Sequence, residues 1–365
     1  MNKKIVAVGM SGGIDSTMSA YLLKQQGYEV IGVTMSIYDK TANLPETEKS
    51  GCYGPNEERE IEEAKKACQK IDIKHYIIDL KKQYKENVVD YFCNSYLDGS
   101  TPNPCIACNS KIKFGYLLEE SKKSGIKFDY FATGHYVRID KNEKTGRYFI
   151  KKSIDPKKDQ SYFLYKLTQG QLSNLIFPIG EYLKTDLKKL ATEIGFKEYA
   201  EKDESQDFVE AEDYAVLFKD KKIKKGDIIN INGVVIGEHD GIVNYTIGQR
   251  KGLDLGGAGE IFYVIKIDAE SNTIVVGPKE YLYSSGLIAV DLNFISIESL
   301  DNEMDNIQAK MRAHGNFIDC KIIPINKTSI KVMFKEKQMS IQPGQSIVFY
   351  DNDIVIGGGI IANKL

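Results

Sequence analysis

Gly9-Met10-Ser11-Gly12-Gly13-Ile14-Asp15-Ser16 follows directly on the apolar run Ile5-Val6-Ala7-Val8. An apolar run of that length, closed by glycine, reads as a fully buried parallel strand. Beyond the loop, Met18, Tyr21, Leu22 and Leu23 recur at helical spacing until Gly27 supplies a C-terminal stop. The order is therefore strand, glycine-rich turn, helix, with the Ser11 and Ser16 hydroxyls beside amides that open a helix. Such a turn offers N–H donors and the positive end of a helix dipole, which suits a phosphate group. The plainer reading is a tight strand-to-helix turn with a capping Ser or Asp. Its place between strand and helix favours the phosphate.

The kind of phosphate loop follows from what is missing. A Walker-type loop needs a lysine after its glycines, and none stands here; the dinucleotide fingerprint Gly-x-Gly-x-x-Gly is absent too. Ser11-Gly12-Gly13-Ile14-Asp15-Ser16 resembles the pyrophosphate loop of ATP pyrophosphatases, which split ATP between the α- and β-phosphates and adenylate a substrate.

Working outward, Glu29–Met35 reads as a second buried strand, Glu57–Ile71 as a helix, His75–Ile78 as a strand and Tyr84–Tyr96 as a helix. A turn, Thr101-Pro-Asn-Pro-Cys-Ile-Ala-Cys-Asn109, precedes a helix reaching Ser124, and Tyr130–Thr133 makes a further strand. That alternation predicts an α/β fold with a doubly wound, mostly parallel sheet and ligands at the carboxyl ends of its strands. Gly134 to Lys152 reads as a hairpin, and Lys184–Ile194 as a helix. Past about residue 204 the helical periodicity stops, and short strands with Gly or Asn turns predict a small β-rich domain, then a C-terminal β-barrel. The expected divisions are 1–203, 204–283 and 284–365.

Composition narrows the class. The chain has 365 residues, 42% hydrophobic and 27% charged, and a formal net charge of −2. That balance is ordinary for a soluble protein of two or three domains and gives no global pull towards nucleic acid. No stretch is long and apolar enough to span a membrane and no signal peptide is evident, so a cytoplasmic location is expected. One local exception is Lys141–Lys158, where seven lysines or arginines face two acids. Alone, such a run is more simply a solvated face.

Six cysteines in such a chain point to catalytic or metal-binding use over a disulfide framework. Cys68 and Cys93 fall on apolar helix faces and Cys320 alternates with Ile318 and Ile322, so these three read as buried small hydrophobes. Cys52, Cys105 and Cys108 sit in Gly/Pro turns where no core pattern claims them. Cys105-x-x-Cys108 is a spacing shared by zinc sites, redox pairs and iron–sulfur ligands. No second such pair completes a zinc site.

With these residues collected, the chain resembles the tRNA-specific 2-thiouridylases almost end to end. The resemblance is carried by Gly9–Ser16, Thr101-Pro-Asn-Pro104 with Cys108-Asn109, Lys113-Phe-Gly115, Ala132-Thr-Gly-His-Tyr136 and Lys158-Asp-Gln-Ser-Tyr162. It continues in Glu204-Ser-Gln-Asp207, His239-Asp-Gly241, Tyr245–Gly252 and Pro343-Gly-Gln345. The resemblance implies ATP-dependent exchange of oxygen for sulfur at carbon 2 of a wobble uridine, with ATP and Mg2+ as cofactors. It places ATP on Gly9, Met10, Ser11, Gly12, Gly13, Ile14, Asp15 and Ser16, with Met35 and Gly134 at the nucleotide and Asp15 in a catalytic role. It places the target base against Asn103, Pro104 and Cys105, and makes Cys108 the carrier of the attacking sulfur. It assigns tRNA contacts to His135, Lys158, Asp159, Gln160, Arg312 and Gln345. The implied partners are the anticodon stem-loop of tRNA and a sulfur donor such as a cysteine desulfurase or relay protein, with no membrane.

The chain departs from the family in two places. Most members carry an acid where Cys105 stands, and a second catalytic cysteine shortly after the motif ending at Asp207; here none follows. Two sulfur routes are open at this point. Cys52, Cys105 and Cys108 hold a [4Fe-4S] cluster, or Cys108 carries a persulfide that Cys105 resolves. Two other functions share parts of the pattern: an ATP-dependent amidating or ligating enzyme, which needs no loop cysteine pair, and a non-catalytic tRNA-binding protein, which needs no intact nucleotide loop.

Overall fold

The computed structural model describes residues 3–45, 47, 51–201, 207–255 and 261–365. Of the expected motif Glu204-Ser-Gln-Asp207, the first three residues lie outside these. The described chain forms two compact units: residues 1–88, 105–216 and 353–355 make the first, and 89–104, 217–352 and 356–365 the second.

The first unit is built on β1 (Ile5–Gly9), α1 (Ile14–Gln25), β2 (Glu29–Ser36), β3 (Gly51–Tyr53), α2 (Glu57–Ile71) and β4 (Lys74–Asp79). Further along come α3 (Lys81–Tyr84), β5 (Tyr130–Ala132), β6 (Val137–Lys141), β7 (Tyr148–Lys152), β8 (Leu175–Ile176) and a helix at Lys184–Glu193. Five strands form one sheet in the order β4-β2-β1-β5-β8, every pairing parallel. After β1 the chain winds outward through β2 and β4, then returns to the other side of β1 with β5. The order therefore reverses between β1 and β5, and a crevice opens there beyond the strands' carboxyl ends. Val6, Val8, Met18, Leu23, Ala67 and Cys68 are fully buried in the core that joins the sheet to α1 and α2.

The helix expected over Tyr84–Tyr96 is three segments: α3, a π-helical stretch Lys85–Val89 and a helix at Asp90–Leu97. The helix expected to run to Ser124 likewise opens with a π-helical segment, Cys108–Tyr116. A sequence pattern of 3.6 residues does not distinguish these from α-helix. The basic stretch is the β6–β7 hairpin, with Ile139 opposite Ile150. Lys151 pairs with Asp140 at 2.9 Å on its exposed face.

In the second unit, β10 (Gly226–Asn230), β11 (Val235–His239), β12 (Tyr263–Asp268) and β13 (Thr273–Gly277) make a four-stranded sheet; β9 (Asp207–Val209) lies in the first unit, parallel to β3. Six strands follow: β14 (Tyr283–Phe294), β15 (Met304–Lys310), β16 (Ile318–Asn326), β17 (Ser329–Met339), β18 (Ser346–Asp351) and β19 (Ile354–Lys364). They run in the order β14-β17-β16-β15-β18-β19, and β19 pairs back on β14, closing a barrel. Closure removes exposed strand edges. Its interior holds Leu287, Ala289, Ile322, Val332, Ile347 and Phe349, and Cys320 belongs to the same core.

Leu23 sits on α1 with no exposed surface, so Leu23→Ala should cost about 3 kcal/mol through lost burial and the cavity left behind. Urea unfolding of the variant measures it, and a loss below about 1 kcal/mol would contradict this packing.

Candidate active site

The loop after β1 turns on Gly12, whose φ of +74° is left-handed. A Cβ there would also stand 3.0 Å from the Glu60 carbonyl oxygen, so glycine is required twice over. Ser16 Oγ donates to the Gly13 carbonyl at 3.1 Å and accepts the Ser11 N–H at 3.2 Å, which folds the loop onto the start of α1. Gly13 occupies the N-cap position and no side chain caps the helix. The N-cap glycine thus offers no side chain to the first-turn amides of α1, which lie at the positive end of the helix dipole.

These amides face a cavity of about 320 Å3, lined by Gly9, Met10, Ser11, Gly13, Asp15 and Ser16 on one side. Val33, Met35, Ile37, Ile61, Leu117 and Phe131 supply an apolar wall suited to a purine ring. Thr133, Gly134 and His135 close it from the end of β5, with Gln160 from a later loop. Gly134 packs so tightly that an added Cβ would lie 2.7 Å from the Asp15 carbonyl carbon. The expected nucleotide residues Gly9, Met10, Ser11, Gly13, Ile14, Asp15, Ser16, Met35 and Gly134 all line this cavity, and Gly12 makes its turn.

Asp15 is fixed from behind: its Oδ1 accepts from Lys184 Nζ at 2.7 Å and from Tyr136 Oη at 2.9 Å. His135 is buried, its Nδ1 2.7 Å from Thr133 Oγ1, with Phe114 and Phe177 against its ring. Burial first, and the nearby Lys113 charge second, hold its pKa well below the usual value, so the imidazole is neutral at pH 7.

The three loop cysteines share one electrostatic neighbourhood around Lys113. Cys105 lies on the helical turn Pro104–Ala107, and Cys108 opens the π-helical segment. Residues five apart in an α-helix point about 140° away from each other; hydrogen bonding from i to i+5 swings them towards the same side. Cys108 and Lys113 are five apart. Cys52, on β3, lines the same cavity as Lys113. Burial pushes the Cys108 thiol up to about 11, with Lys113 pulling the other way. Burial likewise pushes Cys105 up to about 12. Burial works to lower the Lys113 pKa, and the neighbouring cysteine sulfurs, where ionised, raise it, with a net direction upward. Beneath them Tyr84 stacks on Tyr53 with ring centroids 5.3 Å apart. Asn109, next to Cys108, keeps its Oδ1 buried with no hydrogen-bond partner among the described atoms.

The iron–sulfur arrangement is not assembled. Among the described residues no three His, Cys, Asp or Glu side chains stand where they could share a metal ion. Cys52, Cys105 and Cys108 instead neighbour the partly buried ammonium of Lys113.

The remaining expected contacts divide between the units. In the first, Lys158 is half-buried, and Asp159 turns into its own loop, accepting from the Ser153 N–H at 3.0 Å and the Ser161 hydroxyl at 2.8 Å. Gln160 Oε1 accepts the Tyr136 N–H at 2.9 Å beside the cavity. In the second, Gln345 Nε2 donates to the Pro102 carbonyl at 3.2 Å, and the Thr101 N–H donates to the Pro343 carbonyl at 2.8 Å. The Pro343-Gly-Gln345 turn therefore holds the segment that carries Asn103 and Pro104. Arg312 is exposed, with Nη2 3.2 Å from the Ser340 carbonyl.

Comparison with known proteins decides the family. The description "tRNA methyl transferase HUP domain" matches residues 4–211, "tRNA methyl transferase PRC-barrel domain" 215–278 and "Aminomethyltransferase beta-barrel domain" 284–361. A tRNA-specific 2-thiouridylase MnmA of Clostridioides difficile is 45% identical over 370 residues, covering 100% of this chain and 99% of the relative. The chain belongs to the tRNA-specific 2-thiouridylase family. A second such relative, from Thermoanaerobacter sp., is 46% identical with 99% and 98% coverage, and a third, from Clostridium perfringens, is 43% identical with each chain covered in full. As a family member the chain has the HUP-type nucleotide domain followed by PRC-type and β-barrel domains. No helix of the described residues is long and apolar enough to cross a membrane.

Sequence reading did not find Lys184 or Tyr136 as partners of Asp15, nor Lys113 as the cation among the cysteines. Lys113 and Tyr136 were visible only as members of motifs, and Lys184 as an ordinary helix residue.

With Cys108 held up to about 11, iodoacetamide should modify it slowly at neutral pH and faster with each step of pH towards that value. Removing the charge in Lys113→Met should shift the profile to still higher pH. Peptide mass spectrometry across pH 6–10 reads both, on about that span of ordinary thiol titration; a rate already level by pH 8 would contradict the burial.

Proposed function

We propose that this protein is an ATP-dependent tRNA 2-thiouridylase acting on the wobble uridine. The observation that carries the reading is the uncapped glycine-rich turn at the sheet's switch point, with a lysine-centred group of cysteines in the same unit. An amidating or ligating enzyme would have no use for those thiols. A protein that only binds tRNA would have no use for the turn.

The chemistry follows from the residues. A C2 carbonyl is a poor electrophile until its oxygen becomes a leaving group. The loop amides at Gly9–Ser16 hold the ATP phosphates, and the base oxygen displaces pyrophosphate at the α-phosphorus, leaving O2 as an adenylate. A divalent ion accompanying ATP would offset the charge of the departing pyrophosphate, and Asp15 is the loop carboxylate that borders the phosphates. The base must be splayed from the anticodon stack to reach such a pocket, a mode typical of RNA recognition; Asn103, Pro104 and Cys105 receive it. Lys158, Asp159, Gln160, His135, Arg312 and Gln345 are the proposed tRNA-contacting positions, and backbone contacts of that kind position RNA without reading its sequence.

Cys108 carries the sulfur as a persulfide supplied by an external donor such as a cysteine desulfurase or relay protein. The terminal sulfur attacks C2 and expels AMP, giving a Cys108–S–S–C2 adduct. The Cys105 thiolate attacks Cys108 Sγ; the S–S bond of the adduct breaks, 2-thiouridine leaves, and a Cys105–Cys108 disulfide remains. A dithiol reductant returns both thiols. The pair is one helical turn apart, and Lys113 steadies each sulfur anion as it forms. A cytoplasmic setting supplies tRNA, ATP and reductant together.

Nucleoside mass spectrometry after incubation with ATP, tRNA, a persulfide donor and a dithiol tests this. Cys108→Ser should give no 2-thiouridine. With the dithiol left out, the unaltered protein should release about one 2-thiouridine per site, and Cys105→Ser should stall at the Cys108 adduct and release none, since resolution is a separate step. Release of 2-thiouridine by Cys105→Ser without a dithiol would overturn its role; 2-thiouridine made by Cys108→Ser would overturn the persulfide.

A further inference from the structure

The nucleotide loop lacks the lysine that a Walker-type loop carries, and its cavity is acidic. Of its lining residues, Asp15, Glu57 and Glu60 are carboxylates, and Lys113 is the ammonium. ATP brings further negative charge, so the site needs compensation from outside its walls. We infer that Lys184 is that compensation: a positioning residue, set behind the loop on a distant helix, which neutralises Asp15 and aims its carboxylate so that the ATP phosphates meet the loop amides unopposed.

The geometry is specific. Lys184 is the first residue of the helix Lys184–Glu193, and its side chain is only 7% exposed. Its Nζ lies 2.7 Å from Asp15 Oδ1 and 5.6 Å from the centre of the Tyr136 ring. Tyr136 Oη donates to the same Oδ1 at 2.9 Å, so one hydroxyl and one ammonium converge on one oxygen. The backbone that carries Lys184 is itself pinned. Its N–H donates to the buried carboxylate of Asp155 at 3.0 Å, while Leu187 and Ala191 sink into the same core as α1. From the opposite side Gly134 presses on the Asp15 backbone. A lysine taken from water and held at a carboxylate that borders the phosphate cradle has no better use in this fold than to set that carboxylate's charge and direction.

The inference rests on Gly9–Ser16 being an ATP site and not on the thiolation chemistry, so it is tested without tRNA. Equilibrium binding of ATP with Mg2+ is measured by calorimetry for the full-length protein, Lys184→Met, Lys184→Arg, Asp15→Asn and the double variant Asp15→Asn with Lys184→Met. Lys184→Met should weaken binding about tenfold or more, because it uncovers a carboxylate beside the phosphates. Lys184→Arg should stay within about threefold, since it keeps the charge. In the Asp15→Asn background, Lys184→Met should cost less than about twofold, because no charge is left to cover. Equal losses in both backgrounds would overturn the inference, as would wild-type affinity in Lys184→Met. Thermal melting accompanies each variant. Should Lys184→Met not fold, Tyr136→Phe replaces it, removing one donor to Asp15 while keeping the ring; a loss of about threefold that vanishes in the Asp15→Asn background supports the inference and an unchanged loss overturns it. Binding of ATP with no tRNA product would leave this inference standing and remove the proposed function.

Discussion

A helix that begins on a glycine N-cap, set at the point where a parallel sheet reverses its strand order, is the constraint on which the first unit depends. The amides at the start of α1 present the positive end of its dipole to the cavity, and the loop before them must bend through a left-handed glycine to bring them to bear. Gly12 is wedged against α2 and Gly134 against Asp15. The sheet order puts the end of β1 beside the end of β5, so the loop and the Thr133–His135 segment meet across one crevice.

That arrangement separates two jobs that the chemistry must keep apart. Oxygen activation needs a site that accepts polyanionic phosphate. Sulfur attack needs a soft nucleophile that stays quiet until it is loaded. Burial answers the second need: the thiols of Cys105 and Cys108 are held up to about 12 and about 11, so neither is ionised at rest. Lys113 lies among them, where in the proposed cycle it meets a sulfur anion. Widening the helix at Cys108–Tyr116 into π geometry turns Cys108 and Lys113 towards the same side.

Much of this was legible in the sequence because the signals are local. The loop Gly9–Ser16 lies in one stretch, α2 begins and ends where its apolar face begins and ends, and Cys68, Cys93 and Cys320 declared their burial by periodicity. What stayed hidden is what joins residues far apart in the chain or departs from a 3.6-residue period. The pairing of Gly51 with Asp207 brings together two three-residue strands too short to read. Lys184 reaches Asp15 across 169 positions. The π segments share the apolar pattern of an α-helix. Thr101–Pro104 and Pro343–Gln345 were each recognisable, but that the second holds the first is a property of the folded second unit alone. The iron–sulfur ligand set was suggested by counting loop cysteines. The structure places all three about one lysine without giving them a metal's geometry.

The central claim is that this loop activates the C2 oxygen of the uridine by adenylation. Transfer of an oxygen label tests it directly: tRNA carrying 18O at C2 of the wobble uridine is thiolated, and the nucleotide products are weighed by mass spectrometry. The account predicts one 18O in AMP and none in pyrophosphate. Label recovered in pyrophosphate or in water, with unlabelled AMP, would contradict it.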